Sequence, residues 1–367
     1  MTITRSNSEK QKAIAIQLLQ NGNLAKAEEA FRAMLEQAPQ DAGTINNLGL
    51  AMLYQGKMQQ VIPLYQDALH RFPEIPDLHY NLGLAYHKAG VFTKARLCYQ
   101  QATRLRPSFC DAFRNLSAAC LELGQEEPAL EAIRKAHELR PDDAAIQFQL
   151  LALEEGNVPA PPREYVSQLF DNYAAHFDRH LTTTLGYAIP QHLRNALELF
   201  VEPKQGVFRN AIDLGCGTGL AGSAIRDLCT RLTGIDLSPA MLAEADAKQV
   251  YDTLRQDDLH EALAMSRDTY DLVVATDVMI YMGALEQVFA RVRERIVPGG
   301  YFCFSLETDH GTATYRLRRT ARYGHNPLYT QELAHRHRFL GRLSLPVIVR
   351  KEGSTCIAGE LIILQSQ

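Results

Sequence analysis

The chain has 367 residues, of which 46% are hydrophobic and 22% charged, and its formal net charge at neutral pH is −4. This length allows two domains with separate cores, and the composition is ordinary for a globular protein. The acidic excess is small and evenly shared between the two halves, so there is no general attraction for nucleic acid and we expect no such partner.

The first half of the chain repeats itself with a period of 34 residues. A proline recurs at this interval: Pro39, Pro73, Pro107 and Pro141. A large side chain recurs in the same way: Phe31, Tyr65, Tyr99 and Ile133. The period predicts four units, each a pair of short amphipathic helices, and a closing helix. We place them at 8–41, 42–75, 76–109, 110–143 and, for the closing helix, 144–155.

This alternation of small and large residues, with a proline at the end of each unit, resembles the tetratricopeptide repeat family. The resemblance implies an α-solenoid with a concave groove. It places Asn47, Asn81 and Asn115 in that groove, where an amide can pair with the backbone of a peptide. We therefore expect a protein or peptide partner, although asparagine here is also common repeat consensus.

The helical pattern stops at Gly156 and the proline-rich segment 158–162, because prolines cannot continue a helix. We place a repeat domain of four units and a closing helix at 1–157, and a second domain at 158–367. In the second domain strand-like and helical segments alternate, which favours an α/β fold.

The first strand-to-helix turn of the second domain is rich in glycine. Its residues are Asp213, Gly215, Cys216, Gly217, Thr218 and Gly219. The G-x-G-x-G spacing and the preceding acid differ from the dinucleotide fingerprint G-x-G-x-x-G, so an NAD oxidoreductase is poorly supported. Glycines allow close approach of the backbone to a ligand, and Asp213 is predicted at a strand end beside the ligand crevice.

Acids also close the next three predicted strands. Asp236 ends the second strand, where a carboxylate can accept hydrogen bonds from both ribose hydroxyls. Asp257 or Asp258 ends the third and can accept from an adenine amine, and Asp277 lies near the end of the fourth. Each acid alone is more often a turn or a helix cap. Together, at successive strand ends, they predict a nucleotide-like ligand.

In this order, the segments of 163–367 resemble the class I S-adenosylmethionine-dependent methyltransferases. The resemblance implies a doubly wound, Rossmann-like domain whose mixed sheet ends in an antiparallel hairpin, with its turn at Glu352-Gly353. It also implies S-adenosylmethionine as cofactor. The glycine loop would bind its methionine part, Asp236 the ribose, and Asp257 or Asp258 the adenine. Cys216 and Leu237 are further candidates for cofactor binding.

The segment following the linker resembles the cap helix of a bacterial subgroup that fuses tetratricopeptide repeats to a methyltransferase. The resemblance makes Tyr173 a candidate to cover the cofactor. Its aromatic neighbours Phe170 and Phe177 leave a second interpretation open, in which all three rings simply pack the helix on the sheet.

The segment 314–329 resembles the lid of the same subgroup. It implies that Arg322 and Tyr329 bind the acceptor and that His325 is a candidate catalytic base, since histidine titrates near neutral pH. Tyr281, beyond the fourth strand, is a similar catalytic candidate. Eight arginines and one acid lie in 316–350, which predicts a local basic surface.

We therefore predict methyl transfer to an acceptor whose identity and atom the sequence leaves open. The repeats would bring a protein or carrier-bound acceptor to the enzyme. Alternatively, the enzyme would methylate a small molecule, and the repeats would only oligomerise or dock it. The alternative from another class is a scaffold whose methyltransferase domain senses the cofactor and is inactive.

Seven cysteines are scattered without a C-x-x-C motif, which predicts reduced thiols, a cytoplasmic location and no metal site. The polar N-terminus does not resemble a secretory signal. Because no apolar run approaches 18 residues, we expect no membrane span.

Overall fold

The structure is a computed structural model of the full chain. It describes residues 2–174, 177–179, 181, 186–200, 207–352 and 355–367. These residues form two compact units, Met1–Leu150 and Leu151–Gln367. The division falls inside the last helix of the repeat region, and the domain boundary at 157/158 stays a prediction.

The described part of the first unit consists of helices that pack in consecutive pairs, as expected for tetratricopeptide repeats. The helices are α1 (Thr2–Gln20), α2 (Leu24–Gln37), α3 (Ala42–Tyr54), α4 (Met58–Arg71), α5 (Pro76–Lys88), α6 (Phe92–Leu105), α7 (Cys110–Glu122), α8 (Glu126–Leu139) and α9 (Ala144–Leu153), of which α9 extends into the second unit.

Each repeat closes around a large side chain from its second helix. Tyr65 and Tyr99 are fully buried, and their rings lie against Gly49 and Gly83 on the first helix of the same repeat. A Cβ at these glycines would come within 2.3 and 2.6 Å of the rings. The aromatic ring therefore occupies the space that the missing side chain leaves, which makes this repeat position part of the core.

The repeated asparagines make bonds between neighbouring repeats. Asn81 is only 5% exposed, and its Nδ2 donates to Oδ1 of Asn46 at 2.8 Å. Asn115 Nδ2 donates to the hydroxyl of Tyr80 at 3.0 Å. Both acceptors lie 35 positions earlier, on the first helix of the preceding repeat. These amides therefore help to fix how successive repeats stack.

The first of the three asparagines, Asn47, has different surroundings. The position 35 residues earlier is Lys12, whose ammonium binds the carboxylate of Asp41 at 2.8 Å. A lysine side chain cannot accept a hydrogen bond, so Asn47 cannot make the inter-repeat bond that Asn81 makes. A role of all three asparagines in a peptide groove stays a prediction.

The second unit is built on one mixed sheet. Its nine described strands are β1 (Phe208–Leu214), β2 (Cys229–Asp236), β3 (Thr253–Gln256), β4 (Tyr270–Ala275), β5 (Ile296–Thr308), β6 (Tyr315–Leu317), β7 (Tyr323–His325), β8 (Phe339–Glu352) and β9 (Thr355–Ser366). Strands β3-β2-β1-β4-β5 are parallel, β9 pairs antiparallel with β5, and β8 pairs antiparallel with β9. This confirms the predicted doubly wound sheet with an antiparallel ending, although Gly353 of the predicted turn lies outside the described residues.

A small hairpin extends the sheet beside the end of β5. Strands β6 and β7 pair antiparallel, and β7 runs parallel to the last residues of β5. The hairpin occupies the region that the sequence assigns to a lid, and β6 is its outer strand.

Helices cover both faces of the sheet and enclose two apolar cores. They are α10 (Arg163–Tyr173), α11 (Phe177–Arg179), α12 (Ile189–Leu197), α13 (Leu220–Ile225), α14 (Pro239–Ala247), α15 (Leu259–Met265), α16 (Glu286–Arg295) and α17 (Pro327–Arg336). One core includes side chains from α15, α16 and α17, and the other includes side chains from α12 and α13. Both faces are thus buried, as a parallel sheet requires.

The inter-repeat bond of Asn81 gives the first prediction. Asn81→Ala should lower the free energy of unfolding of the repeat unit by about 1 kcal/mol, because a buried bond is lost and Asn46 loses its partner. Asn47→Ala, at the equivalent position without that bond, is the matched control and should change it by less than about 0.5 kcal/mol. Urea unfolding followed by circular dichroism measures both. Equal effects of the two variants would contradict this role for Asn81.

Candidate functional site

The candidate site lies at the carboxyl end of the parallel strands. The chain order of the sheet reverses between β1 and β4, and ligand crevices of doubly wound sheets form at such a point. The glycine loop follows β1, and the segment containing Asp277 follows β4.

The glycine loop has a conformation that requires glycine. Gly215, Gly217 and Gly219 all have positive φ angles, of 66°, 52° and 87°. A Cβ on Gly215 would come within 2.4 Å of Val278, so the loop packs closely against the segment after β4. Nothing lies within 4 Å of the corresponding position at Gly217, which leaves space for a ligand there.

Cys216 lies in the same loop, with its side chain buried. Its amide donates to the carbonyl of Ile235 at 2.9 Å, which fixes the loop to β2. Burial raises the pKa of the Cys216 thiol well above its ordinary value, so the side chain is a neutral thiol at physiological pH.

Asp236, the last residue of β2, connects two loops. Its Oδ2 accepts a hydrogen bond from the amide of Gly217, and its Oδ1 accepts one from the amide of Ser238, each at 2.8 Å. Leu237 lies between Asp236 and Ser238, which caps α14. Burial raises the pKa of Asp236, and each carboxylate oxygen keeps a further lone pair for a ligand.

Asp213 lies at the end of β1 and is fully buried. The hydroxyl of Tyr251 donates to its Oδ2 at 2.7 Å, whereas its Oδ1 has no hydrogen-bond partner among the described residues. Burial raises the pKa of Asp213 to about 7. A buried carboxylate with one unsatisfied oxygen would be stabilised by a cationic ligand.

Asp257 and Asp258 follow β3 and differ in their contacts. Asp258 caps α15 by accepting two amide bonds at 2.9 and 3.3 Å, and its Oδ2 lies 3.4 Å from Nε of Arg163. Asp257 donates its amide to the carbonyl of Asp236, and its carboxylate binds Arg255 at 2.7 Å. Asp257 therefore adjoins the acid of the second strand, while Asp258 is committed to its helix. Which of them contacts adenine stays a prediction.

Two carboxylates of the segment that the sequence assigns to a cap bind neighbouring loops. Asp171 on α10 accepts from the hydroxyl of Ser238 at 2.5 Å. Asp178 on α11 accepts from the hydroxyl of Thr218 and from the ammonium of Lys248, the latter at 2.5 Å. The segment is thus bonded to the glycine loop and to the turn after β2. Neither acid belongs to a local motif, so the sequence alone does not single them out.

The candidate Tyr173 is the last residue of α10, and its side chain lies outside the described part of the structure. The neighbouring ring of Phe170 packs edge-on against Tyr281, with 5.1 Å between the ring centroids. It also packs against Phe177 at 6.2 Å. These two aromatics contribute to the packing of the cap segment beside Tyr281.

Asp277 has a strained backbone at the edge of the site. Its φ of 56° is uncommon for a residue other than glycine. Its amide donates to the hydroxyl of Ser305 at 2.8 Å, and that hydroxyl donates back to Oδ1 at 3.2 Å. Burial raises the pKa of Asp277 to about 6, although nearby arginines including Arg322 favour the charged form.

Tyr281 and Arg322 are brought together by the fold. Tyr281 lies in a 3-10 turn after β4, and Arg322 precedes β7. Arg322 Nε donates to the hydroxyl of Tyr281 at 3.3 Å, and its guanidinium carbon lies 6.0 Å from the ring centroid. The two candidates, 41 positions apart in sequence, therefore form one polar group near Asp277.

His325 is fully buried on β7. Its Nε2 lies 2.8 Å from the carbonyl oxygen of Met282 and 3.2 Å from that of Gly283, so Nε2 carries the proton. Burial lowers the pKa of His325 to about 4, which keeps the ring neutral near pH 7. The histidine thus holds the turn that follows Tyr281, and its assignment as a base stays a prediction.

Tyr329 on α17 stacks on His325, with 6.5 Å between the ring centroids. Its hydroxyl accepts from the amide of Leu285 at 2.7 Å and donates to Glu286 at 2.8 Å. Both bonds hold the start of α16. Acceptor binding by Tyr329 also stays a prediction.

The expected basic surface is largely neutralised by acids. Glu307, buried on β5, accepts from Arg350 and, at 2.8 Å, from Arg318. Further pairs follow the same pattern: Arg316–Asp309, Arg319–Glu155 and Arg336–Glu332. Most of these acids lie outside 316–350, so counting charges within that segment overestimated its basic character.

Two family models match the chain. A methyltransferase domain matches residues 212–302, and a tetratricopeptide repeat matches residues 46–108. Among curated proteins, the malonyl-[acyl-carrier protein] O-methyltransferase of Enterobacter lignolyticus is 27% identical over 188 residues, which cover 51% of this chain and 68% of that protein. The trans-aconitate 2-methyltransferase of Deinococcus radiodurans is 29% identical over 30% of this chain and 42% of its own length.

A solved structure of magnesium protoporphyrin IX methyltransferase from Synechocystis PCC 6803, with bound SAM, aligns with a TM-score of 0.43 and 13% identity. The alignment covers 57% of this chain and all of that chain. Among the described residues, no helix has the length and apolar character needed to cross a bilayer, and no cluster of three potential metal ligands is found.

Asp213 gives a prediction of pH dependence. Since burial raises its pKa to about 7 from an ordinary value near 4, the stability it contributes is complete below about pH 4 and is lost as pH rises through about 7. Asp213→Asn should therefore flatten the fall in melting temperature of the second unit between about pH 5 and 8.

Differential scanning calorimetry of the full chain measures this, with the exposed Asp268→Asn as control. Parallel melting curves for wild type and Asp213→Asn would show that the carboxyl group does not titrate in this range.

Proposed function

We propose that this chain, which joins tetratricopeptide repeats to an S-adenosylmethionine-dependent methyltransferase domain, methylates an acceptor whose anionic group binds Arg322. The observation that carries the proposal is the polar group of Arg322 and Tyr281 near the partly buried Asp277. The proposed class of acceptor is inferred from these three residues. The proposed methyltransferase activity is inferred from the match to a methyltransferase domain.

The described residues fit the cofactor. The open position at Gly217 and the unsatisfied oxygen of Asp213 suit the methionine part with its positive charges. Asp236 would hold the ribose and Asp257 the adenine amine. When bound, S-adenosylmethionine supplies a methyl group that its sulfonium already activates for displacement.

The protein's own contribution is to position the acceptor and to manage its proton. Arg322 offers a planar, bidentate donor to a carboxylate or phosphate. Tyr281, bonded to Arg322, would orient the acceptor by its hydroxyl. Asp277 has a pKa of about 6, so near neutral pH it is mostly ionised and would take up the proton of a hydroxyl or amine acceptor, whereas a carboxylate acceptor has no proton to release. His325 supports this arrangement through the turn after Tyr281.

The names of two relatives are consistent with an anionic acceptor. Malonyl-[acyl-carrier protein] and trans-aconitate both carry carboxylates. The matched segments span 68% and 42% of those proteins. We therefore use the two names only to choose a class of acceptor for testing, namely compounds with a carboxylate.

We further propose that the repeats recruit a protein or peptide partner, including a protein that carries the acceptor. The tetratricopeptide match supports this, and so does the amide of Asn47, which is not engaged in the inter-repeat bond. The seven cysteines are all free thiols, which supports a cytoplasmic location.

The proposal predicts a selective effect on acceptor binding. With malonyl-acyl carrier protein and trans-aconitate as acceptors, Arg322→Ala should raise KM by about 10- to 100-fold, because a charged hydrogen bond contributes about 1.5–3 kcal/mol. Arg322→Lys should restore it poorly, since lysine lacks the planar fork. The affinity for S-adenosylhomocysteine should stay unchanged.

Arg316→Ala is the matched control, because Arg316 is largely exposed and lies 3.9 Å from its nearest acid, Asp309. It should leave KM unchanged. If both alanine variants keep the wild-type KM for an acceptor that the protein methylates, Arg322 does not bind the anionic group.

A further inference from the structure

We propose that residues 155–159, here called the linker segment, position the acceptor site by holding the β6–β7 hairpin against the turn after β4. This proposal rests on the proposed function only in assigning Arg322 and Tyr281 to acceptor binding. The linker segment begins two residues after the end of α9 and belongs to the second unit.

The first contact is made by the carbonyl of Pro159. It accepts hydrogen bonds from the amides of Gly283 and Ala284, at 2.9 and 3.0 Å. Both lone pairs of one carbonyl oxygen are thereby engaged by consecutive amides. The turn so bound begins two residues after Tyr281, so the linker segment restrains the backbone that carries this tyrosine.

The second contact is made by the side chain of Asn157. Its Nδ2 donates to the carbonyl of Tyr315, and its Oδ1 accepts from the amide of Leu317, both at 3.2 Å. These two backbone groups belong to the outer edge of β6, which has no further strand beside it in the sheet path. The amide of Asn157 therefore pairs with the edge strand as a neighbouring strand would.

The third contact is an ion pair. Glu155 accepts from Nη2 of Arg319 at 2.6 Å, in the turn between β6 and β7. The pair is exposed, so we expect it to contribute little to stability. It nevertheless gives the linker segment a contact along the hairpin.

The hairpin and the turn also touch each other. A Cβ on Gly283 would come within 2.6 Å of the Tyr315 ring and 2.8 Å of the Tyr323 ring. The linker segment thus makes hydrogen bonds to both the hairpin and the turn after β4, which pack closely against each other at a junction. A shift across this junction would separate Arg322 from Tyr281, which are now 3.3 Å apart at Nε and OH.

The cofactor side is held by other groups. Asp171 and Asp178 bind the glycine loop and the turn after β2, and Asp236 connects these two loops. None of these bonds involves the linker segment. Removing hydrogen bonds of the linker segment should therefore disturb the positions of Arg322 and Tyr281 and leave cofactor binding unchanged.

Hydrogen exchange of the full chain, followed by mass spectrometry with S-adenosylhomocysteine bound, tests the inference. Asn157→Ala should speed exchange in peptides covering 315–325 and 279–285 by about 5-fold, because it removes two hydrogen bonds that hold the junction together, each worth about 0.5 kcal/mol. Asn195→Ala is the matched control, because Asn195 is also exposed but bonds only within α12, to Gln191. It should leave both peptides unchanged.

Kinetics give a second readout with malonyl-acyl carrier protein as the probe. Asn157→Ala should raise its KM more than it lowers kcat, and the dissociation constant of S-adenosylhomocysteine should stay the same. A purely structural role would lower the active fraction and leave KM unchanged.

Unchanged exchange in 315–325 and 279–285 would overturn the inference. So would equal acceleration in the glycine loop together with weaker S-adenosylhomocysteine binding, because that result means general destabilisation. If wild type does not methylate the probe, the proposed acceptor class fails, and the exchange result alone decides whether the linker segment holds the junction.

Discussion

The carboxylate of Asp236 is the constraint on which the rest of the site depends. It accepts the amides of Gly217 and Ser238, and so joins the glycine loop after β1 to the turn after β2. Since both amides donate to one partly buried carboxylate, the two loops are held in place before a ligand arrives. Such preorganisation reduces the ordering that binding would otherwise require. The cap segment then attaches to the same two loops, through Asp171 at Ser238 and Asp178 at Thr218.

The acceptor side is organised by a different set of contacts. His325 donates to carbonyls of the turn after β4, Tyr329 holds the start of α16, and the linker segment bonds the same turn and the edge of β6. Most of these contacts engage backbone groups. They therefore fix the position of Tyr281 and Arg322 without themselves selecting an acceptor, and selectivity would depend on side chains such as these two near Asp277.

The sequence predicted the architecture and the class of cofactor, because both depend on local patterns, whereas the individual cofactor contacts stay predictions. A 34-residue period requires stacked helix pairs, and acids at strand ends converge in any doubly wound sheet. The acceptor side was harder to predict. His325 titrates near neutral pH in isolation, but burial on β7 lowers its pKa to about 4. Arginines counted as a basic surface are paired with Glu307 and Glu155, which are distant in sequence. Only the tertiary fold reveals such partners.

We propose that the second unit binds S-adenosylmethionine through Asp236, and calorimetric titration with S-adenosylhomocysteine tests this most directly. Wild type and the exposed control Asp268→Ala should bind with equal affinity. Asp236→Ala should bind at least about 10-fold more weakly, because the charged acceptor for the ribose hydroxyls is lost. NAD should not bind. Absence of S-adenosylhomocysteine binding in wild type, or the same affinity in Asp236→Ala, would contradict the account.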